Sequence, residues 1–417
     1  HNVDLMRQLV ENGPDIHPGA NAIEDERGRV IHLDKFTAEK RAAIAKTLLA
    51  TTASGSSDAP ARTLAKTVYR HLRDGDVMLV NRQPTLHKPG ILAHKARVLP
   101  GQRVVRMHYS NCSTFNADFD GDEINLHFPQ DHLGRAEACE IMHGDRQFTV
   151  PTDGKPLRGL IQDHICSGLL LSMRDSFFDR SEFTQLVYSG LVDYCGDTHG
   201  SIEIPPPTVL KPRVLWTGKQ VIASVLSHIT RDRPPLTFSA PCKIPSHFFG
   251  GEDSGEDRLI IRRNYFCTGV VDKNMFGKYG LVHAVAELHG RDTAGALLSI
   301  FSRLFTNYLQ KHGFTCGMDD LILTAQAELD RVEQLSKADE MCKAATADVA
   351  EASGKSETEV VDAVAAKLRE NVAWGAQLDM KASGSLNKVT SAAVKKCLPL
   401  GTKKPLSKNC LSIMTIS

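Results

Sequence analysis

The sequence predicts an α+β chain of more than one domain, and three observations carry that prediction. The chain has 417 residues, longer than a single hydrophobic core usually organises. Apolar residues recur at helical spacing near the start and through most of the second half. Between them, around Val77 to Tyr109, lies a compact stretch of short apolar runs punctuated by Pro84, Pro89-Gly90 and Pro100-Gly101.

Val3 to Val10 has helical spacing and stops at Asn12-Gly13-Pro14. Thr37 to Ala50 reads as a second helix with Thr37 as its cap. Thr51 to Ala59 is a small-residue loop, and Arg62 to Arg73 reads as a third helix ended by Asp74-Gly75-Asp76. Val77 to Val80 and Arg103 to Tyr109 have the texture of strands. From Arg135 the pattern is helical again, through Leu160 to Met173 and Ser181 to Tyr188. Arg231 to Arg258 is rich in Pro, Gly and Ser and reads as loop. Thr293 to Lys311 is the clearest helix, with Leu297, Leu298, Phe301, Leu304, Phe305 and Leu309 on one stripe. Trp216 is expected in the core. Ala325 to Ala350 and Glu357 to Val372 read as solvated Ala- and Glu-rich helices, with Ser356 and Glu359 at capping-box spacing.

Composition excludes several classes. At 41% hydrophobic and 24% charged residues the chain is neither disordered nor fibrous. No apolar run reaches the roughly 18 residues of a membrane span, and no signal-peptide pattern is present. Ten cysteines are scattered without a CxxC pair, which argues against a local zinc site and for small apolar packing residues in a reducing compartment.

The net charge of +1 gives no overall reason to expect a nucleic-acid partner. It is, however, a sum of opposed local fields. Asn81 to Phe115 contains no acidic residue but carries Arg82, Lys88, Lys95, Arg97, Arg103 and Arg106, with His87, His94 and His108. Directly after it come Asp118, Asp120, Asp122 and Glu123.

Asn116-Ala117-Asp118-Phe119-Asp120-Gly121-Asp122 is the most informative segment. On a plain strand the three aspartates would share one face, whereas a turn at Gly121 would fold them around a point. Either way three carboxylates share a small volume, which raises their pKa values unless a cation neutralises them. Hard oxygen donors select Mg²⁺ or Mn²⁺ over zinc. A solvated acidic loop is the plain alternative. A calcium EF-hand fails, because its sixth and twelfth positions, counted from Asp118, hold Glu123 and Pro129. A haloacid-dehalogenase-type phosphohydrolase is a further alternative, with Asp319-Asp320 imitating its distal acidic pair. Against it stand Asp122 where that family wants Thr and the polar stretch Asn111 to Asn116 where it wants a hydrophobic strand. A carboxylate cluster beside Arg and Lys suits phosphoryl or nucleotidyl transfer.

These residues resemble the largest subunit of multisubunit RNA polymerases. Asn116 to Asp122 is similar to that family's signature loop, and Asn81-Arg82-Gln83-Pro84-Thr85-Leu86-His87-Lys88 to its companion motif. Gly159-Leu160-Ile161-Gln162-Asp163, Leu215-Trp216-Thr217-Gly218-Lys219-Gln220 and Gly313-Phe314-Thr315-Cys316-Gly317 follow in the family's order. Phe314 to Asp320, Lys278 to His283 and Lys395 to Pro399 resemble the polymerase I version, with the corresponding subunit of polymerase II or III as the alternative.

The resemblance implies a dock and lead-in over residues 1–75 and a double-psi β-barrel carrying the active-site loop over 76–148. It implies a mixed pore region over 149–285 and a mostly helical funnel over 286–417. It implies that Asp118, Asp120 and Asp122 hold a catalytic Mg²⁺, a second Mg²⁺ arriving with the nucleoside triphosphate, and that no zinc is bound. Arg82 and Asn116 would touch the incoming ribose, where the 2′-hydroxyl separates RNA from DNA precursors. Arg82 pairing only with the aspartates is the alternative. Lys88 would meet nucleic-acid phosphates, or else be part of a solvated basic face. Gln162 and Asp163 would brace the loop, and His87 would be a packed barrel residue. DNA template, RNA transcript, the second-largest subunit and the other polymerase subunits are the implied partners, with no membrane, in the nucleus and its nucleolus. Since the family's bridge helix and trigger loop follow the point matching Ser417, the 417 residues alone are expected to make no RNA. An assembly module without chemistry would have no reason to keep three mutually repelling carboxylates.

Overall fold

The computed structural model describes residues 2–48, 66–196, 200–244, 246–249, 255–351, 354, 356–370, 372–398 and 400–416. The chain forms two compact units, one of His1–Met107 with Thr114–Gln147, the other of His108–Ser113 with Phe148–Ser417. Both mix helices with small antiparallel sheets.

The first unit opens with α1, Val3–Asn12, which buries Leu9 and Val10. Gly13 ends it at φ 68°, donating its N–H to the Leu9 carbonyl, and a Cβ there would strike the Arg41 guanidinium at 2.7 Å. Strand β1, Ala20–Glu24, is central in a three-stranded antiparallel sheet between β2, Val30–His32, and a third strand described below. Helix α2, Ala38–Lys46, begins after Thr37 as the sequence predicts. Leu9, Val10, Ala20, Ile23, Leu33, Ala45 and Leu48 form the core of this part. The predicted loop Thr51 to Ala59 lies outside the described residues.

The predicted helix from Arg62 to Arg73 is corrected. Residues 62–65 lie outside the described residues, and Thr67–Arg70 is strand β3, paired antiparallel with β1. Thr67, Val68 and Tyr69 are β-branched or aromatic and fit a half-buried pleat, so pairing with the open edge of β1 overrides the weak helical spacing.

A second antiparallel sheet has β4, Val77–Asn81, between β5, Ile91–Lys95, and β6, Asn125–His127. Its register sets Asn81 opposite both Ile91 and Asn125. Arg82 therefore leaves the sheet beside the chain that enters β6. A short helix, α3, Cys112–Phe115, precedes that chain, and α4, His132–Glu140, follows with Asp131 capping the Gly134 N–H at 2.9 Å. Val80, Leu92 and Phe115 pack together under the sheet. Three strands and one parallel bridge, Ala93 to His143, are present rather than a closed barrel among the described residues. The expected strand Arg103 to Tyr109 is also corrected. Both edges of β4 are taken, and Val104 and Val105 stay exposed without a ladder partner among the described residues.

The second unit is built around one long helix. It contains α5, Asp163–Ser172, strand β7, Phe177–Phe178, and α6, Arg180–Leu191. Strand β8, Trp216–Thr217, pairs with β7 and leads into α7, Gly218–Ile229. Reciprocal capping boxes start α6 (Asp179 and Glu182) and α7 (Thr217 and Gln220). The expected loop Arg231 to Arg258 instead contains β9, Phe238–Pro241, which pairs with β10, Arg258–Arg262; β10 also pairs with β11, Tyr265–Thr268.

Helices α8, Leu281–His289, and α9, Arg291–His312, follow. Leu297, Leu298, Phe301, Leu304 and Phe305 are fully buried along α9, as the stripe predicts, with Leu309 half-buried. Gly168 of α5 has no room for a side chain against Val271 and Phe305, which lets α5 and α9 approach closely. Trp216 is 5% exposed, stacked on Phe183, and donates its indole N–H to the Pro205 carbonyl at 2.8 Å.

Helix α10, Ala325–Val349, packs along α12, Val372–Cys397, with α11, Glu357–Glu370, between them in sequence. The sequence reading stopped a helix at Val372 and missed α12. At the predicted capping box the Ser356 N–H donates to Glu359 at 2.9 Å. The last helix is α13, Cys410–Ile416. No helix among the described residues is long and apolar enough to cross a membrane. Among the ten cysteines, all described and all free, Cys112, Cys166 and Cys397 are buried as expected, whereas Cys267 and Cys316 are exposed.

Candidate functional site

The acidic loop lies wholly in the first unit. Buried Phe115 anchors its start, at 3% exposure. Asn116 then adopts the left-handed region at φ 46°, which Asn tolerates better than most side chains. Residues 119–121 bend, with Gly121 at φ 122°, where a side chain would be strained. Of the two geometries open to the sequence, the turn is the one that forms. It brings one carboxylate oxygen from each of Asp118, Asp120 and Asp122 within 4.8 Å of one another.

The three acids are not equivalent. Arg82 grips Asp122 with two nitrogens, Nε to Oδ2 at 2.7 Å and Nη2 to Oδ1 at 3.0 Å. Its remaining nitrogen reaches the Phe115 carbonyl at 3.4 Å. Asp122 also accepts the Asp118 backbone N–H at 3.1 Å. The Arg82 hydrogen bonds hold the Asp122 carboxyl below its ordinary pKa and raise that of Arg82 in return. Asp118 goes the other way. Its hydrogen bond to Asp120, then desolvation and the negative charge of Asp120 and Asp122, push its pKa up. One end of the cluster is thus paired with an arginine, while at the Asp118 end the neighbouring carboxylates disfavour the charged form, which a cation would relieve.

That donor set fits a hard divalent ion. All three ligands are carboxylate oxygens, Asp118 and Asp120 are exposed, and no soft donor joins the cluster. Magnesium ordinarily takes one or two carboxylates and keeps open positions for water and phosphate.

The other predicted residues fall as follows. Asn116 is exposed at the head of the loop. Lys88 is exposed at the start of a single 3-10 turn, Lys88–Gly90, and Lys95, Arg97, Arg103 and Arg106 are exposed as well. His87 is exposed, which corrects its expected place as a packed residue; Pro89 and Gly90 fill the interior there instead. Gln162 and Asp163 belong to the second unit, Gln162 as the N-cap residue of α5 at φ 35°. They line a cavity of about 350 Å³ with Tyr109, His164 and Phe314.

From the sequence, Asp319 and Asp320 could be a helix N-terminal feature without chemistry, and Asp320 does sit at the start of a 3-10 turn, Met318–Asp320, where it organises its surroundings. It is 1% exposed and accepts the N–H of Gly317 at 2.9 Å, the N–H of Cys410 at 3.0 Å and the Lys404 ammonium at 2.9 Å. These donors hold its pKa down to about 2. The Gly317 spacing was a legible signal, since it places Asp320 third after a helix-start glycine, but the partners lie more than 80 residues away.

The acidic turn is a carboxylate cluster of the kind a hard divalent ion could occupy, and comparison with known proteins identifies the family. Residues 1–144 match RNA polymerase Rpb1, domain 2, and residues 147–321 match RNA polymerase Rpb1, domain 3. The chain belongs to the family of RNA polymerase largest subunits. It is similar over its whole length to DNA-directed RNA polymerase I subunit rpa1 of Dictyostelium discoideum (46% identical, 26% of that protein). Similarity also covers 100% of the chain and 25% of DNA-directed RNA polymerase I subunit RPA190 of Saccharomyces cerevisiae, at 41% identity. DNA-directed RNA polymerase III subunit RPC1 of Homo sapiens is 35% identical over 79% of the chain and 23% of that protein. The chain spans about a quarter of the length of these curated relatives. The phosphohydrolase alternative falls with this result. The Asp320 carboxylate it would have used is engaged by Gly317, Lys404 and Cys410.

Proposed function

We propose that the chain carries the catalytic loop of a DNA-directed RNA polymerase of the polymerase I class. The observation that carries this is the turn that gathers Asp118, Asp120 and Asp122 within 4.8 Å, one end already gripped by Arg82. The three aspartates would hold a resident Mg²⁺, and a second would arrive with the nucleoside triphosphate. Bound there, the ion would act as a Lewis acid toward the RNA 3′-hydroxyl and the α-phosphate.

The aspartates act as ligands, not as general bases. Arg82 fixes the orientation of Asp122 with all three of its nitrogens engaged on the loop, and it and the exposed Asn116 would meet the ribose of the incoming nucleotide. The 3′-hydroxyl attacks the α-phosphate and pyrophosphate leaves. Lys88 and its exposed basic neighbours attract RNA or template phosphates. Gln162 and Asp163 would brace the loop in the assembled enzyme, and the β4–β6 sheet would form part of a double-psi barrel. Residues 1–75, 76–148, 149–285 and 286–417 would serve as lead-in, barrel, pore and funnel.

Synthesis is a property of the assembled enzyme, with DNA template, RNA and the second-largest and other subunits in place, in the nucleolus of the nucleus. The 417 residues alone are expected to make no RNA. The higher identity to polymerase I relatives than to the polymerase III relative supports the class. The test is Asp120→Ala in the assembled enzyme. Loss of RNA synthesis with intact assembly is expected, and near-wild-type synthesis would refute the metal assignment.

A further inference from the structure

The turn at residues 313–321 and the start of α13 bring two cysteines together across 94 residues of sequence. The Cys410 thiol donates to the Thr315 carbonyl at 3.1 Å, and Cys316 is the next residue along. A carbonyl oxygen lies about 2.8 Å from the Cα of the following residue. The Cys410 sulfur is therefore within about 6 Å of the Cys316 Cα. In a disulfide the partner sulfur lies about 4 Å from a cysteine's Cα, so a rotamer change and a shift of no more than about 2 Å close the bond.

This approach is fixed rather than incidental. Asp320 accepts the Cys410 N–H, and its own carbonyl accepts from the Asn409 side chain at 3.0 Å. The Lys403 N–H bonds the Ile322 carbonyl and the Thr324 N–H bonds the Gly401 carbonyl, both at 2.8 Å. The two chain segments are thus stitched side by side at the base of the α10–α12 helical excursion. Cys316 is exposed and Cys410 half-buried, so an oxidant in solution meets Cys316 first. The bond to Thr315 that must break is a weak thiol donor.

We propose that Cys316 and Cys410 form a peroxide-responsive dithiol, with Cys316 as the oxidised residue and Cys410 as its resolving partner. Hydrogen peroxide converts the Cys316 thiol to sulfenic acid and releases one water. The Cys410 sulfur then attacks the Cys316 sulfur, its proton leaves with the hydroxyl as a second water, and the disulfide forms. The two thiols lose two electrons and peroxide gains them. The product clamps the base of the α10–α12 excursion, and a thiol reductant reverses it.

Burial and the nearby Asp320 carboxylate raise the pKa of Cys410, which disfavours its thiolate and its own direct reaction with peroxide. The proposal stands independently of the polymerase reading, because it uses no residue of the acidic loop.

The test treats the complex containing the full-length protein with hydrogen peroxide, blocks remaining thiols and maps non-reduced peptides by mass spectrometry. A Cys316–Cys410 linked peptide should rise about tenfold or more and vanish on reduction with dithiothreitol. In Cys410→Ser, which keeps the N–H to Asp320, Cys316 should instead accumulate as sulfenic acid trapped by dimedone. In Cys316→Ser no link to Cys410 should form. Unmodified Cys316, direct passage of wild-type Cys316 to sulfinic acid, or pairing with a different cysteine would overturn the proposal.

Discussion

Two groups of carboxylates show opposite solutions to the same electrostatic problem. Asp320 is buried and answered by two backbone N–H groups and a lysine, so its pKa falls to about 2. Asp118 and Asp120 are exposed and answer mainly each other, so the Asp118 pKa rises. The first arrangement is complete as it stands and contributes stability. The second leaves Asp118 and Asp120 exposed beside like charges, an arrangement that a bound cation would relieve.

The contrast can be broken by mutation, and the largest effect is expected at the acidic loop. Asp120→Ala in the assembled enzyme should lower RNA synthesis by about 10³-fold or more, roughly 4 kcal/mol of transition-state stabilisation. Its thermal unfolding should stay unchanged. At the complete site the signs exchange. Asp320→Ala orphans the Gly317 and Cys410 N–H groups and the Lys404 ammonium, and should cost about 2–4 kcal/mol of stability. Thermal unfolding of the complex, with the domain carrying α13 unfolding first, measures it.

The pH dependence sharpens the same comparison. Because the folded-state pKa of Asp320 is depressed, its contribution is fully present above its unfolded value near 3.8. It is lost as pH falls through about 2. Wild type should therefore lose stability between about pH 4 and pH 2 by more than Asp320→Asn does, as followed by far-UV circular dichroism. The smallest effect belongs to Asp118→Asn. Its raised pKa means that the charged form is disfavoured in the folded loop, so removing the charge should raise the melting temperature slightly in the absence of magnesium. The same change should abolish any stabilisation by added Mg²⁺, read from melting curves with and without the ion.

The carboxylate cluster was more legible in the sequence than the fold that carries it. The spacing of Asp118, Asp120 and Asp122 around Gly121 announces a carboxylate cluster, since few structural needs place three acids so close. The α9 stripe was equally plain, because its buried face repeats at helical spacing over 22 residues. Thr67–Arg70 was misread because strand pairing with β1, nearly 50 residues away in sequence, decides it, and no local pattern reports that. Arg103 to Tyr109 has strand-like composition but joins no ladder among the described residues, and the local pattern does not report whether a partner strand is there. The helix-start position of Asp320 was legible, but its partners Lys404 and Cys410 were not, being distant in sequence and meeting it only in the fold. The Arg82–Asp122 ion pair lay between. Its residues were singled out, but the register of Asn81 against Asn125 is what brings them together.

The central claim is that a divalent ion sits among Asp118, Asp120 and Asp122. The most direct measurement replaces Mg²⁺ in the assembled protein with Fe²⁺ and generates hydroxyl radicals with ascorbate and peroxide. Backbone cleavage centred on residues 116–123, competed by excess Mg²⁺ and lost in Asp120→Ala, is the expected result. Cleavage elsewhere, or the same cleavage in Asp120→Ala, would contradict it.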